Sequence, residues 1–185
     1  AVAQRLGIPY YDKELVDAVA KESGFSHEFI EEIGEYASVT SSFLFNIAVS
    51  SHPMGLIDTM SVSDKLYVCQ TNVIRDLADK GPCVIVGRCA DYALAGRPGL
   101  LRIFCRADLT QRIKRIQQRH NLSPEKAALL VAKTDRHRRV YYHHHTGKFW
   151  GHSSCYDLTV NTSVLGVEKT AEALEAYIRA FQEQD

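Results

Sequence analysis

Three short apolar runs, residues 83–86 (Cys-Val-Ile-Val), 100–105 (Leu-Leu-Arg-Ile-Phe-Cys) and 158–161 (Leu-Thr-Val-Asn), constrain this chain more than any other feature. They have strand length, and helical patterns separate them. A strand that is followed by a helix and then by another strand needs a crossover connection, which is right-handed and leaves the two strands parallel. The pattern therefore predicts an α/β fold, a mainly parallel sheet flanked by helices on both faces. Ligands of such sheets bind beyond the carboxyl ends of the strands, so the residues to inspect are Asp12, the segment 87–91 (Gly-Arg-Cys-Ala-Asp), Arg106 with Asp108, and Asn161 to Ser163.

The intervening elements are read from periodicity and caps. Residues 1–7 read as the end of a helix, with Leu6 its last apolar contact and Gly7 its left-handed stop. A brief strand is expected over 8–11 and a helix over 14–22, where Leu15, Val16, Val19 and Ala20 recur at helical spacing before Ser23 and Gly24. A further helix is expected over 26–36, its acidic residues forming a solvated face. Residues 37–60 read as a mobile, partly helical connection. Leu66, Val68, Cys69, Val73, Ile74 and Leu77 predict a long amphipathic helix over 62–80. Residues 121–150 read as a lid-like segment whose helix starts cleanly, with Ser123 as N-cap, Pro124 at the first helical position and Glu125 near the positive end of the dipole.

Bulk properties narrow the class. Lys+Arg and Asp+Glu both number 22, so no whole-molecule field draws the chain to a nucleic-acid polymer or an acidic membrane, and any attraction for anions is local. Five cysteines without CxxC spacing argue against a disulfide framework or a four-thiolate zinc site and favour a reduced, cytoplasmic protein. No apolar run approaches the roughly 20 residues that span a bilayer.

The local attraction is visible. Between Arg102 and Arg139 there are 11 basic residues against three acidic ones. Arginine predominates, and its planar fork suits bidentate contact with phosphate oxygens. Arg112, Arg115 and Arg119 follow an i, i+3, i+7 rhythm along one side of a helix, which fits either an anion site or a solvated basic face. Arg88 follows a buried strand, where it can grip a substrate phosphate or pair with Asp91 in a turn. Asp135, Arg136, Arg138 and Arg139 are expected near a helix end, where arginines also compensate the dipole. The run His143-His144-His145 lacks chelating spacing by itself and is expected to be structural or to edge a substrate, not to bind zinc. Thr146-Gly147-Lys148 is not a Walker A motif, since glycines and a strand do not precede it, and no GxxxxGK[ST] occurs elsewhere.

Taken together, residues 6–15, 84–92, Asp135 to Arg138 with Tyr141 and Tyr142, 146–151 and 156–163 resemble the cytidylate kinase-like family of P-loop nucleoside monophosphate kinases. The resemblance implies one kinase-like domain over 1–185, with a three-layer fold and a helical lid over about 121–150. It also implies a first strand and phosphate loop upstream of Ala1. The implied activity is transfer of the ATP γ-phosphoryl group to a nucleoside monophosphate, CMP or dCMP, with Mg²⁺. It puts Asp12, Lys13, Arg88, Asp91, Asp135 and Arg138 at the acceptor, Arg112 and Arg115 at the donor phosphates, and Arg115, Asp135 and Arg138 in catalysis. Classical cytidylate kinases carry another arginine near Val131 and Lys133, a departure that leaves acceptor specificity open. Two other readings stand beside this one: a kinase of a non-nucleotide small molecule, and a non-catalytic nucleotide-binding or regulatory module.

Overall fold

The computed structural model describes residues 1–27, Ile30 and 61–183. The helix expected over 26–36 and the connection over 37–60 fall largely or wholly outside the described residues.

The chain opens with helix α1 (Val2–Leu6), stopped by Gly7 at φ 67° as its position predicts. Strand β1 (Tyr10–Tyr11) leads into α2 (Lys13–Ser23), which Gly24 ends in the left-handed conformation. Helix α3 (Val62–Asp79) is capped by Ser61, whose hydroxyl accepts from the Asp64 amide. Its buried stripe contains the expected Leu66, Val73, Ile74 and Leu77, joined by Val62, Gln70 and Ala78. Val68 is exposed, and polar Gln70 takes a central core position. Helices α2 and α3 pack together through Leu15, Val16, Val19, Leu66, Val73 and Ile74. Each large aliphatic side chain removed from water there contributes about 1.5–3 kcal/mol.

Strand β2 (Val84–Ile85) runs into the four-residue helix α4 (Ala90–Ala93). Strand β3 (Ile103–Arg106) starts three residues later than the apolar run suggests. Leu100 packs against the α2–α3 core instead of joining the ladder. Helix α5 (Leu109–His120) ends at Asn121, which adopts φ 50°. Helix α6 (Pro124–Thr146) has the expected cap, with Ser123 Oγ accepting from the Lys126 amide, and runs unbroken for 23 residues. Asp135 therefore lies in mid-helix and not near its end, so dipole compensation does not explain Arg136, Arg138 and Arg139. A short 3₁₀ turn (Ser153–Cys155), β4 (Leu158–Asn161) and α7 (Thr162–Gln182), kinked at Gly166, complete the described chain.

The strands are parallel, as the crossover argument predicts, but they form two small sheets and not one. β1 pairs with β2, and β3 pairs with β4 in the register Ile103–Leu158 to Arg106–Asn161. Between the pairs lies a cleft of about 440 Å³, lined by Tyr10 and Val84 of the first sheet, Cys105 of the second, and residues of α1 and α7. No strand among the described residues bridges Val84 and Cys105, and for that reason the sheet is divided. No described helix is long and apolar enough to cross a membrane.

Candidate phosphate-binding site

The site begins with backbone. After β2, Gly87, Arg88 and Cys89 adopt φ 68°, 53° and 55° in succession. For a non-glycine residue this region costs about 1–2 kcal/mol, so two such residues in a row have to be held there by their surroundings. Part of the hold is Gln70, wholly buried on α3, whose Nε2 donates to the Arg88 carbonyl at 3.0 Å and to the Tyr141 hydroxyl at 3.2 Å. The Ala90 amide donates back to the Gly87 carbonyl at 3.0 Å and closes the turn. The result is an arginine displayed at the mouth of the first sheet, half-buried, with its Nη1 shielded from solvent and without a hydrogen-bond partner. A buried guanidinium nitrogen left unpaired is costly, and an anion would relieve it.

Asp12 sits beside this turn. Val86 donates to the Tyr11 carbonyl at 3.0 Å, so the residues that follow β1 and β2 emerge side by side at their carboxyl ends. The Asp12 carboxylate accepts from Tyr10 Oη at 3.0 Å. Lys13 opens α2 next to it. Asp91, in the first turn of α4, does not need Arg88 as its partner, since it accepts a 2.7 Å hydrogen bond from the buried Tyr142 hydroxyl. Burial and the Asp91 carboxylate together hold the Tyr142 phenol protonated, far above its ordinary range. Burial likewise raises Tyr141.

Helix α6 carries the remaining candidates. Asp135, Arg138 and Tyr142 are spaced i, i+3, i+7 and share one face over about 10 Å of rise. At one end Asp135 takes a bidentate fork from Arg112 of α5, at 2.7 and 2.5 Å. At the other end Tyr142 reaches Asp91. One helix face thus joins Asp135, Arg138 and Asp91. Arg115 is exposed on α5, one turn beyond Arg112. Val131 is buried, so the position where a further arginine is expected faces the core here, and Lys133 is exposed.

Residues 146–151 turn the chain out of α6. Gly147 caps α6 at φ 67°, and Thr146 Oγ1 donates to the Tyr142 carbonyl at 2.6 Å while accepting from the Lys148 amide at 3.0 Å. Trp150 packs edge-on against Phe104 of β3, and a Cβ at Gly151 would come within 3.0 Å of the Phe104 ring. Thr146, Gly147 and Lys148 therefore close the carbonyl end of a helix. Phosphate loops open an amide end, so the structure agrees with the sequence in excluding a Walker A loop here.

Sequence reasoning gave Gln70 no role, named Tyr141 and Tyr142 only as part of the family resemblance, and missed the left-handed turn. Gln70 had a signal, a polar residue flanked by Leu66 and Val73 on the buried stripe of a helix. The turn had none, because Arg and Cys carry no preference for positive φ.

A family model described as the cytidylate kinase-like family matches residues 1–164. The chain belongs to the cytidylate kinase-like family. No curated protein matches it. Its fold is similar to the crystal structure of an uncharacterized protein from Eubacterium ventriosum ATCC 27560, with a TM-score of 0.70 and 26% identity over 97% of this chain and 88% of that one. Membership of the cytidylate kinase-like family supports a kinase-like, nucleotide-related function.

Proposed function

We propose that this cytidylate kinase-like chain is the body of an ATP-dependent phosphotransferase whose acceptor is a nucleoside monophosphate, CMP or dCMP. The observation that carries the reading is Arg88, held by a strained turn at a strand mouth with one guanidinium nitrogen buried and unpaired. In this reading Arg88 grips the acceptor phosphate. Asp12, Lys13 and Asp91 flank the nucleoside, and Tyr142 fixes the Asp91 carboxylate so that it accepts from the acceptor. Arg138 adds a second fork to the acceptor phosphate. Arg112 and Arg115 serve the donor side, with Asp135 holding the Arg112 fork in plane until phosphate oxygens replace the carboxylate. Phosphoryl transfer needs little acid or base from the protein. Positioning and neutralisation of charge on the equatorial oxygens do most of the catalysis.

The donor's cradle is a separate matter. Backbone amides of a glycine-rich loop normally hold a nucleoside triphosphate, and residues 1–185 contain no such loop, so these residues do not by themselves fit ATP. Nor do the described residues group carboxylate oxygens in the way that suits Mg²⁺, which in this reading arrives with the donor. The reading places the loop on a strand upstream of Ala1 that fills the cleft between the two sheets and completes a three-layer P-loop fold. Two separate two-stranded parallel sheets are marginal units, and a central strand would join them.

The test is a phosphoryl-transfer assay on the product of the intact gene across a panel of nucleoside monophosphates, alongside Arg88→Ala. The expected result is turnover with CMP or dCMP and a KM for the acceptor raised about 10- to 100-fold in the variant, the size of one charged phosphate contact. Turnover of none of the panel, or an unchanged acceptor KM in Arg88→Ala, sinks the reading.

A further inference from the structure

The histidine run that ends α6 meets an acidic residue which the sequence gives no reason to connect with it. Asp64, in the first turn of α3, lies 3.5 Å from His144 Nε2 through its Oδ1. Asp64, His144 and His145 each offer one ligand atom, and these atoms all lie within 4.8 Å of one another. In a tetrahedral site with bonds of about 2.0–2.2 Å, ligand atoms sit roughly 3.3–3.5 Å apart, so the His144–Asp64 edge already has the required length.

Three further observations point to a ligand. The first is that His145 Nε2 is shielded from solvent and has no hydrogen-bond partner, an unsatisfied imidazole nitrogen beside the cluster. Secondly, the His145 ring is held in place: it stacks on Tyr67 with centroids 4.0 Å apart and planes 5° from parallel, and it meets Tyr141 edge-on at 4.5 Å. Thirdly, Asp64 is oriented from behind by Ser61, whose hydroxyl donates to its Oδ2 at 2.7 Å, leaving Oδ1 turned to the histidine. Metal ligands are commonly fixed in this way by their outer neighbours.

We propose that Asp64, His144 and His145 form a binding site for one divalent transition-metal ion of the Zn²⁺ class, which would tie the end of α6 to the start of α3. Two imidazoles and one carboxylate suit Zn²⁺ or Co²⁺ and match Mg²⁺ poorly, because Mg²⁺ takes oxygen ligands almost exclusively. The three ligands are not among the residues proposed above to meet phosphate, although His145 packs on Tyr141, and the test does not depend on that chemistry. Consecutive histidines point about 100° apart on a helix, yet here one ligand atom of each lies within 4.8 Å of the other and of an Asp64 oxygen. His144 is largely exposed and His145 is half-buried.

The experiment titrates chelator-treated protein with Zn²⁺ by calorimetry, and with Co²⁺ by visible absorption. It includes Mg²⁺ as a control and the variants His144→Ala and Asp64→Asn. The expected result is one Zn²⁺ per chain, a Co²⁺ d–d band without thiolate charge transfer, and no comparable Mg²⁺ binding. Each variant should weaken Zn²⁺ at least about 10-fold while melting in metal-free buffer as the parent does. The exposed position of His144 keeps that variant informative even if Asp64→Asn disturbs the α3 cap. The proposal is overturned by the absence of stoichiometric Zn²⁺ binding, by a thiolate signature for Co²⁺, or by unchanged affinity in His144→Ala.

Discussion

In the proposed reading, single residues decide how this site meets an anion. Arg138 stands between Asp135 and Tyr142 on one face of α6, well inside the helix, and its proposed role is to fork two phosphate oxygens. Arg138→Lys keeps the charge and loses the fork. In the intact protein turnover should therefore fall at least about 10-fold while the melting temperature stays within about 1 °C. Steady-state kinetics and a melting curve on one preparation check this, and wild-type turnover with the lysine removes Arg138 from the site. Asp157 shows the contrasting case of an arginine used for structure. Arg102 grips it through Nε at 3.0 Å and Nη2 at 2.6 Å, and this contact holds the Asp157 carboxyl below its ordinary value of 3.8. A depressed folded-state pKa means that the pair stabilises the fold above the unfolded value and loses that contribution as pH falls through the folded one. Asp157→Asn should thus lower the melting temperature by about 1–4 °C near pH 7, as expected of a half-exposed pair, and the gap should close below about pH 3.8. A gap that does not narrow as pH falls below 3.8 would rule out the charge as its cause.

At the scale of elements, the Gln70 side chain ties the Gly87–Arg88–Cys89 turn to α3 and α6. Replacing Gln70 with Leu keeps an apolar core position but removes the donor to the Arg88 carbonyl and the Tyr141 hydroxyl. Leaving these two groups unpaired should cost about 1–3 kcal/mol, and the acceptor KM should rise together with the loss of stability because the turn that aims Arg88 relaxes. Urea unfolding with acceptor kinetics measures both. A stability loss with an unchanged acceptor KM would show that the turn holds its shape without Gln70. Much of this scale was legible in advance: the caps at Gly7, Gly24 and Ser123, the α3 periodicity and β4 follow from local propensity and spacing. Gln70 in the stripe was legible in principle, since a polar residue at a buried helical position needs partners. Its actual partners were not, because Arg88 and Tyr141 are brought to it only by the packing of three elements.

For the whole molecule the divided sheet is the central fact. Cys105 is exposed on β3 and faces the cleft with Val84 and Tyr10. If an upstream strand fills that cleft, maleimide should modify Cys105 in the 1–185 chain, and peptide mass mapping should find it protected by about 10-fold or more in the intact gene product. Equal labelling in both would exclude a strand between the sheets.

The sequence by itself determined the alternation of strands and helices and the parallel pairing, which rest on spacing along the chain, the arginine excess, which rests on local composition, and the family resemblance, which rests on motifs. Tertiary structure alone decided that α6 is continuous through Asp135, that Arg112 locks onto Asp135, that Tyr142 claims Asp91 and that Asp64 comes to His144. Those contacts join residues far apart in sequence, and only the packing of one helix on another brings their side chains within hydrogen-bond reach.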